Sequence, residues 1–111
     1  MAANQYIRLF PAELQFIDTA TLTGAGNYFN LGLPTVFSTR IFKITNLSNV
    51  MITYALNGIP ADVVPANGFV LLDVSTNREN SNILEIASGT QVTVAGATGV
   101  GLVYLSTFYA G

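Results

Sequence analysis

Six runs of β-branched and aromatic residues, at 40–45, 50–56, 69–74, 83–87, 91–95 and 102–109, are separated by turns built from Gly, Asn, Pro and Ser, and nowhere do apolar residues recur at helical spacing. Short strands spaced this way predict an all-β chain, because each can bury its apolar face only by joining a sheet that packs on a second sheet. Two runs show the period-2 alternation of a half-buried strand: Phe42 and Ile44 against Lys43 and Thr45, then Val50, Ile52, Tyr54 and Leu56 against Met51, Thr53 and Ala55. Residues 46–49 read as a polar turn. Asn57-Gly58 signals a tight reversal, and Pro60 and Pro65 confine their neighbours to edges or turns. The run 69–74 is apolar on both faces and wants cover on both. In 102–109, Leu102, Tyr104 and Phe108 alternate with Val103, Leu105 and Tyr109, the pattern of a central strand.

These features predict an antiparallel β-sandwich, jelly-roll-like, with an extended N-terminal arm or long loop. At 111 residues the chain makes one domain. Residues 40–111 are its sandwich core and residues 1–39 its N-terminal strands and arm. Within that first part, 6–10 and 13–17 read as two strands flanking Pro11. Residues 19–39 form a long Thr/Gly/Asn stretch without a period, yet it carries Tyr28, Phe29, Leu31, Leu33, Val36 and Phe37, more apolar material than a disordered segment holds. Such a segment packs on a surface, either another subunit's or that of its own sandwich.

The absence of Cys and His excludes disulfide scaffolds, thiolate catalysis, Ser-His-Asp triads and imidazole or thiolate metal sites. The carboxylates Glu13, Asp18, Asp62, Asp73, Glu79 and Glu85 show no pairing that a two-carboxylate mechanism needs. Residues 73–79 open like a calcium loop, but Arg78 stands where the turn glycine belongs and Leu84 where the bidentate Glu belongs. The glycine-rich stretch 96–101 lacks the Gly-Lys-Ser/Thr ending and the helix of a phosphate loop. No catalytic, cofactor-binding or metal-binding residue is therefore assigned, and no enzymatic activity is expected. Arg8, Arg40, Lys43 and Arg78 are too few and too scattered to follow a phosphate backbone, so nucleic acid is not expected as a partner. Nor is a membrane: no apolar stretch approaches the length of a span, and the first residues lack the pattern of a secretion signal. Tyr28, Tyr54, Tyr104 and Tyr109 offer a stacking platform for sugar rings, weakened by the lack of Trp.

Only 9% of the residues are charged, against about 25% in ordinary soluble domains. A surface this poor in ionised groups must expose Thr, Asn, Ser, Gly and apolar side chains, and such a surface associates. The predicted partner contacts are Tyr6 and Phe10 of the N-terminal strand and Tyr28, Phe29, Leu31 and Phe37 of the arm.

Four segments carry a resemblance: Phe-Lys-Ile-Thr-Asn-Leu at 42–47, Val-Pro-Ala-Asn-Gly-Phe at 64–69, Gly-Thr-Gln-Val-Thr-Val at 89–94 and Gly-Leu-Val-Tyr-Leu-Ser-Thr-Phe-Tyr at 101–109. In a small Cys-free and His-free chain they resemble tailed-phage virion proteins. Within that group the chain is most similar to capsid decoration proteins, the cement or staple proteins of short-tailed enterobacterial phages of the epsilon-fifteen type. The resemblance implies a jelly-roll-like subunit on the capsid surface, assembled in the host cytoplasm. It further implies a homo-oligomer, dimer or trimer, that clamps neighbouring major capsid protein subunits. A receptor- or carbohydrate-binding module of a tail or virion surface is the competing expectation.

Overall fold

The computed structural model describes residues 9–73 and 86–110. Nine strands are described: β1 Leu9–Pro11, β2 Gln15–Asp18, β3 Gly24–Asn30, β4 Thr39–Ser48, β5 Ile52–Leu56, β6 Ile59–Val64, β7 Phe69–Asp73, β8 Val92–Gly96 and β9 Gly101–Ala110. A single 3-10 turn, Thr19–Thr21, follows β2 and is capped by the Asp18 carboxylate, which accepts from the Ala20 N–H.

All strand pairs are antiparallel, and they form two sheets. In the five-stranded sheet β9 lies between β4 and the edge formed by β1 and β2, and β7 flanks β4 on the far side. The four-stranded sheet runs β3-β8-β5-β6. The pairings are nested: β1 and β2 with β9, β3 with β8, β4 with β7, β5 with β6. The innermost pair is the expected hairpin. Asn57 and Gly58 both take positive φ, 50° and 84°, as a two-residue turn matching the strand twist requires, and Leu56 pairs with Ile59 across it.

The sheets pack face to face. Phe42, Ile44, Val103 and Leu105 of one meet Ile52, Tyr54, Val64, Val92 and Val94 of the other, and Leu22 and Leu31 complete the cluster. Phe42 and Tyr54 stand with ring centroids 6.0 Å apart across the gap. Gly101 (φ 123°) lets β9 start hard against β4, since a Cβ there would run into the Leu47 carbonyl and the Ser48 backbone.

Three sequence expectations change. Residues 46–49 are not all turn: β4 continues to Ser48, and Asn46 and Ser48 point into the core. Asn46 survives burial because its amide is fully used. Nδ2 donates toward the carbonyls of Val50, Val64 and Pro65, and Oδ1 accepts from the Ser48 N–H and Oγ–H. The stretch 19–39 contains a strand, β3, whose Phe29 and Asn30 pair with Val94 and Thr93 after a bulge. Beyond β3 the chain crosses from one sheet to the other along residues 86–92: Leu31 N–H bonds Val92 O, Thr35 N–H bonds Thr90 O, and Thr39 exchanges bonds with Ile86. Residues 9–39 are thus woven into both sheets through β1, β2 and β3. Finally, β6 escapes the sequence reading because Pro60 within it and Pro65 just after it obscure it; the edge place of β6 leaves Pro60 free of the ladder donor it lacks. The polar segment 75–82 and most of the expected strand 83–87 lie outside the described residues.

Candidate interaction surfaces

Because paired residues share a face, the registers define what each sheet turns outward. On the five-stranded sheet one row reads Phe16, Tyr104, Thr45, Phe69; the next Ser106, Lys43, Leu71; on the other side lie Asp18, Leu102 and Leu47. Phe108 and Ile41 continue the face toward the start of β4. The core residues Phe42, Ile44, Val103 and Leu105 alternate with these, so the outer set cannot also reach the interior. Phe16 and Phe69 remain 60% and 61% exposed, and Leu47 and Leu71 are exposed by more than half. Among the described side chains this face carries two charges, Lys43 and Asp18. Lys43 lies over the Phe69 ring, with Nζ 5.1 Å from its centroid, which masks rather than breaks the apolar surface. The opposite sheet differs: between the core residues of β5 and β8 stand Thr53, Ala55, Thr93 and Ala95, all small, and the two alanines are buried.

A second surface lies where β1 meets β2. A cleft of about 250 Å³ opens there against the inner side of β9, lined by Pro11, Gln15, Leu33, Val36, Phe37 and Tyr109 among others. Leu33 and Val36 are largely exposed. Phe37 stacks on Tyr109, and Phe10 meets the same ring with centroids 5.7 Å apart.

The predicted contact residues divide on this geometry. Phe10 and Phe37 come together at Tyr109 and stay exposed. Tyr28 is exposed but sits in β3, on the other sheet. Phe29 is half-buried against the core. Leu31 is 0% exposed, so the expectation of an intersubunit contact through it is corrected: its side chain is spent inside its own sandwich. Tyr6 lies outside the described residues.

The predicted partner contacts omit Phe16, Leu47, Tyr104, Phe69 and Leu71, and of these only Tyr104 reads as surface from the sequence, as part of the sugar platform. The signal was there, in the two apolar faces of 69–74 and 102–109, which an edge strand and a central strand satisfy on one side only.

The sugar platform does not assemble. Tyr54 is 2% exposed in the core, Tyr104 faces out from one sheet and Tyr28 belongs to the other. Burial, and secondarily the Asp62 carboxylate, push the Tyr54 hydroxyl above its ordinary pKa. Among the described residues no group of three or more acidic side chains stands close enough to hold a metal ion. No protein-family model matches the chain, and no curated protein matches it.

Proposed function

We propose that this protein is a non-catalytic structural component of a virion: a jelly-roll subunit that decorates an icosahedral phage capsid and stabilises it by clamping neighbouring major capsid protein subunits. It acts on the capsid surface after assembly in the host cytoplasm. The nested strand pairing, outermost β1 with β9 and innermost β5 with β6, supports the jelly-roll reading. The observation that carries the function is that a chain with a complete core of its own still turns out an aromatic and aliphatic sheet face nearly free of charge. A contiguous exposed apolar face of this kind marks an interaction site.

A clamp needs at least two contact surfaces, and the cleft end supplies a second one. Phe10, Leu33, Val36 and Phe37 are the residues assigned to the capsid, the last three in the crossing that follows β3. Each large side chain fully buried there contributes about 1.5–3 kcal/mol, and several weak contacts per particle sum through effective concentration.

The experiment is co-sedimentation of the purified protein with capsids that lack it, followed by heating. The expected result is a saturating, fixed copy ratio and a higher temperature of shell rupture. Replacing Leu33 and Phe37 by Ser should abolish binding with the fold retained. Binding to a glycan surface, with no affinity for shells, would establish the receptor-binding alternative instead.

A further inference from the structure

We infer that the cleft at the β1 end of the sandwich is an anchor pocket for one aromatic side chain with a hydrogen-bonding tip, Trp or Tyr, carried beside a Lys or Arg on the partner protein. The inference rests on the reading that the cleft end is a contact surface, and adds what that surface recognises.

Size narrows the guest first. An apolar cavity of about 150 Å³ holds a benzene ring, and drug-sized ligands occupy about 300–1,000 Å³. At about 250 Å³ the cleft has room for one larger ring system and too little for an oligosaccharide. Its walls are apolar and already in place. Pro11 and Pro34 have no rotamers to lose, Leu33 and Val36 stand exposed, and the Phe37 ring is fixed on Tyr109. A wall set in advance loses little freedom when a guest enters.

The floor selects the tip. Three threonines line the cleft. The Thr35 hydroxyl donates to the Ala87 carbonyl and that of Thr39 to the Phe37 carbonyl. Thr107 is different: it pairs with Phe42 on the inner side of β9, is 7% exposed, and its hydroxyl meets no hydrogen-bond partner among the described residues. Gln15, the other neutral polar side chain there, is more exposed and packs over Gly32. An aliphatic guest would shut the Thr107 hydroxyl away from water with its bond unmade, which is costly. An aromatic body with an N–H or O–H at its far end satisfies both the walls and this floor. An indole N–H would donate to Thr107 Oγ1, and a phenol can donate to it or accept from it.

Charge sets the neighbour. Glu13 is the one charged side chain lining the cleft, and it is exposed. Its complement is a cation next to the inserted ring.

The chain contains no Trp, so indole emission reports on an added probe alone. The test titrates the full chain into N-acetyl-lysyl-tryptophanamide and follows that emission. The expected result is a saturable blue shift with Kd of about 0.1–1 mM, the range of a single-side-chain fragment. Thr107→Val keeps the shape and removes the hydroxyl; it should weaken this probe about three- to tenfold while leaving N-acetyl-lysyl-phenylalaninamide, measured by competition, unchanged. Thr107→Ser should restore the affinity. Glu13→Gln should weaken the lysyl probe about threefold and spare N-acetyl-tryptophanamide. Circular dichroism and melting of each variant verify the fold.

The absence of a saturable shift overturns the proposal, as does a Trp probe that binds no tighter than the Phe probe or ignores Thr107→Val. A shift seen only in Tyr6→Ala assigns the cleft to the chain's own first residues and overturns it too. Capsid binding that saturating probe fails to compete removes the anchor and leaves the clamp. Probe binding by a protein that ignores capsids removes the clamp and keeps the pocket.

Discussion

Phe37 lies flat on Tyr109, with ring centroids 3.8 Å apart and planes 13° from parallel. The contact joins the chain crossing that follows β3 to the far end of β9. With Phe10 added from β1, rings from three separated segments close one end of the sandwich. This pins the 33–37 stretch while leaving Leu33 and Val36 outside.

Because the Phe37 ring is only partly covered, Phe37→Ser should cost the fold about 1–1.5 kcal/mol, the size of an aromatic pair, in urea denaturation. Capsid co-sedimentation should fall far more. Equal losses in both would reduce Phe37 to a structural role.

Leu31→Ala should destabilise by about 2–5 kcal/mol, because the side chain is enclosed between the sheets and its loss leaves a cavity. Leu33→Ala, two residues on and exposed, should stay within about 0.5 kcal/mol. Thermal melts of the pair read the alternation directly.

Asn46→Ala removes the amide that three carbonyls share and should cost about 2–4 kcal/mol. Asn46→Asp should cost more at neutral pH, since an ionised carboxylate would face those same oxygens. Its folded pKa would then be raised, so the variant should be most stable below the unfolded value of about 3.9 and lose stability as pH rises above it. A stability profile with the opposite slope would contradict the hydrogen-bond assignment.

Tyr54 gives the native chain an alkaline limit. Its pKa is raised in the fold, so the unfolded state ionises first; stability is whole below the ordinary value of 10.0 and declines as pH climbs through the folded value. Tyr54→Phe should flatten that decline in denaturation curves taken from pH 8 to 11. Asp62→Asn should lower the titration midpoint of Tyr54 followed by ultraviolet absorbance.

The strands that the sequence announces are those whose burial is one-sided and local. Phe42 and Ile44 alternate with Lys43 and Thr45, Asn57-Gly58 fits one hairpin geometry, and the alternation in 102–109 separates core from surface correctly. What stayed hidden depends on partners far along the chain. Gly24–Asn30 reads as loop because it holds two glycines and two asparagines; it becomes a strand through pairing with Val92–Gly96. Asn46 looks like a turn residue until the backbone carbonyls of Val50, Val64 and Pro65 arrive around it. The candidate surface was legible as composition and illegible as place. Phe16, Tyr104 and Phe69 lie in one row only because β2, β9, β4 and β7 are neighbours, an order that no local pattern encodes.

The position of β9 between the N-terminal edge and β4 has a consequence for biosynthesis. It is translated after the other eight strands, yet β1 and β2 have no described neighbour but β9, and β4 would keep only β7. A nascent chain that has not yet added β9 therefore has neither Tyr104 nor a continuous five-stranded sheet. Closure of the five-stranded sheet thus waits for β9 to emerge, and until then the edges of β1, β2 and β4 that it pairs stay open.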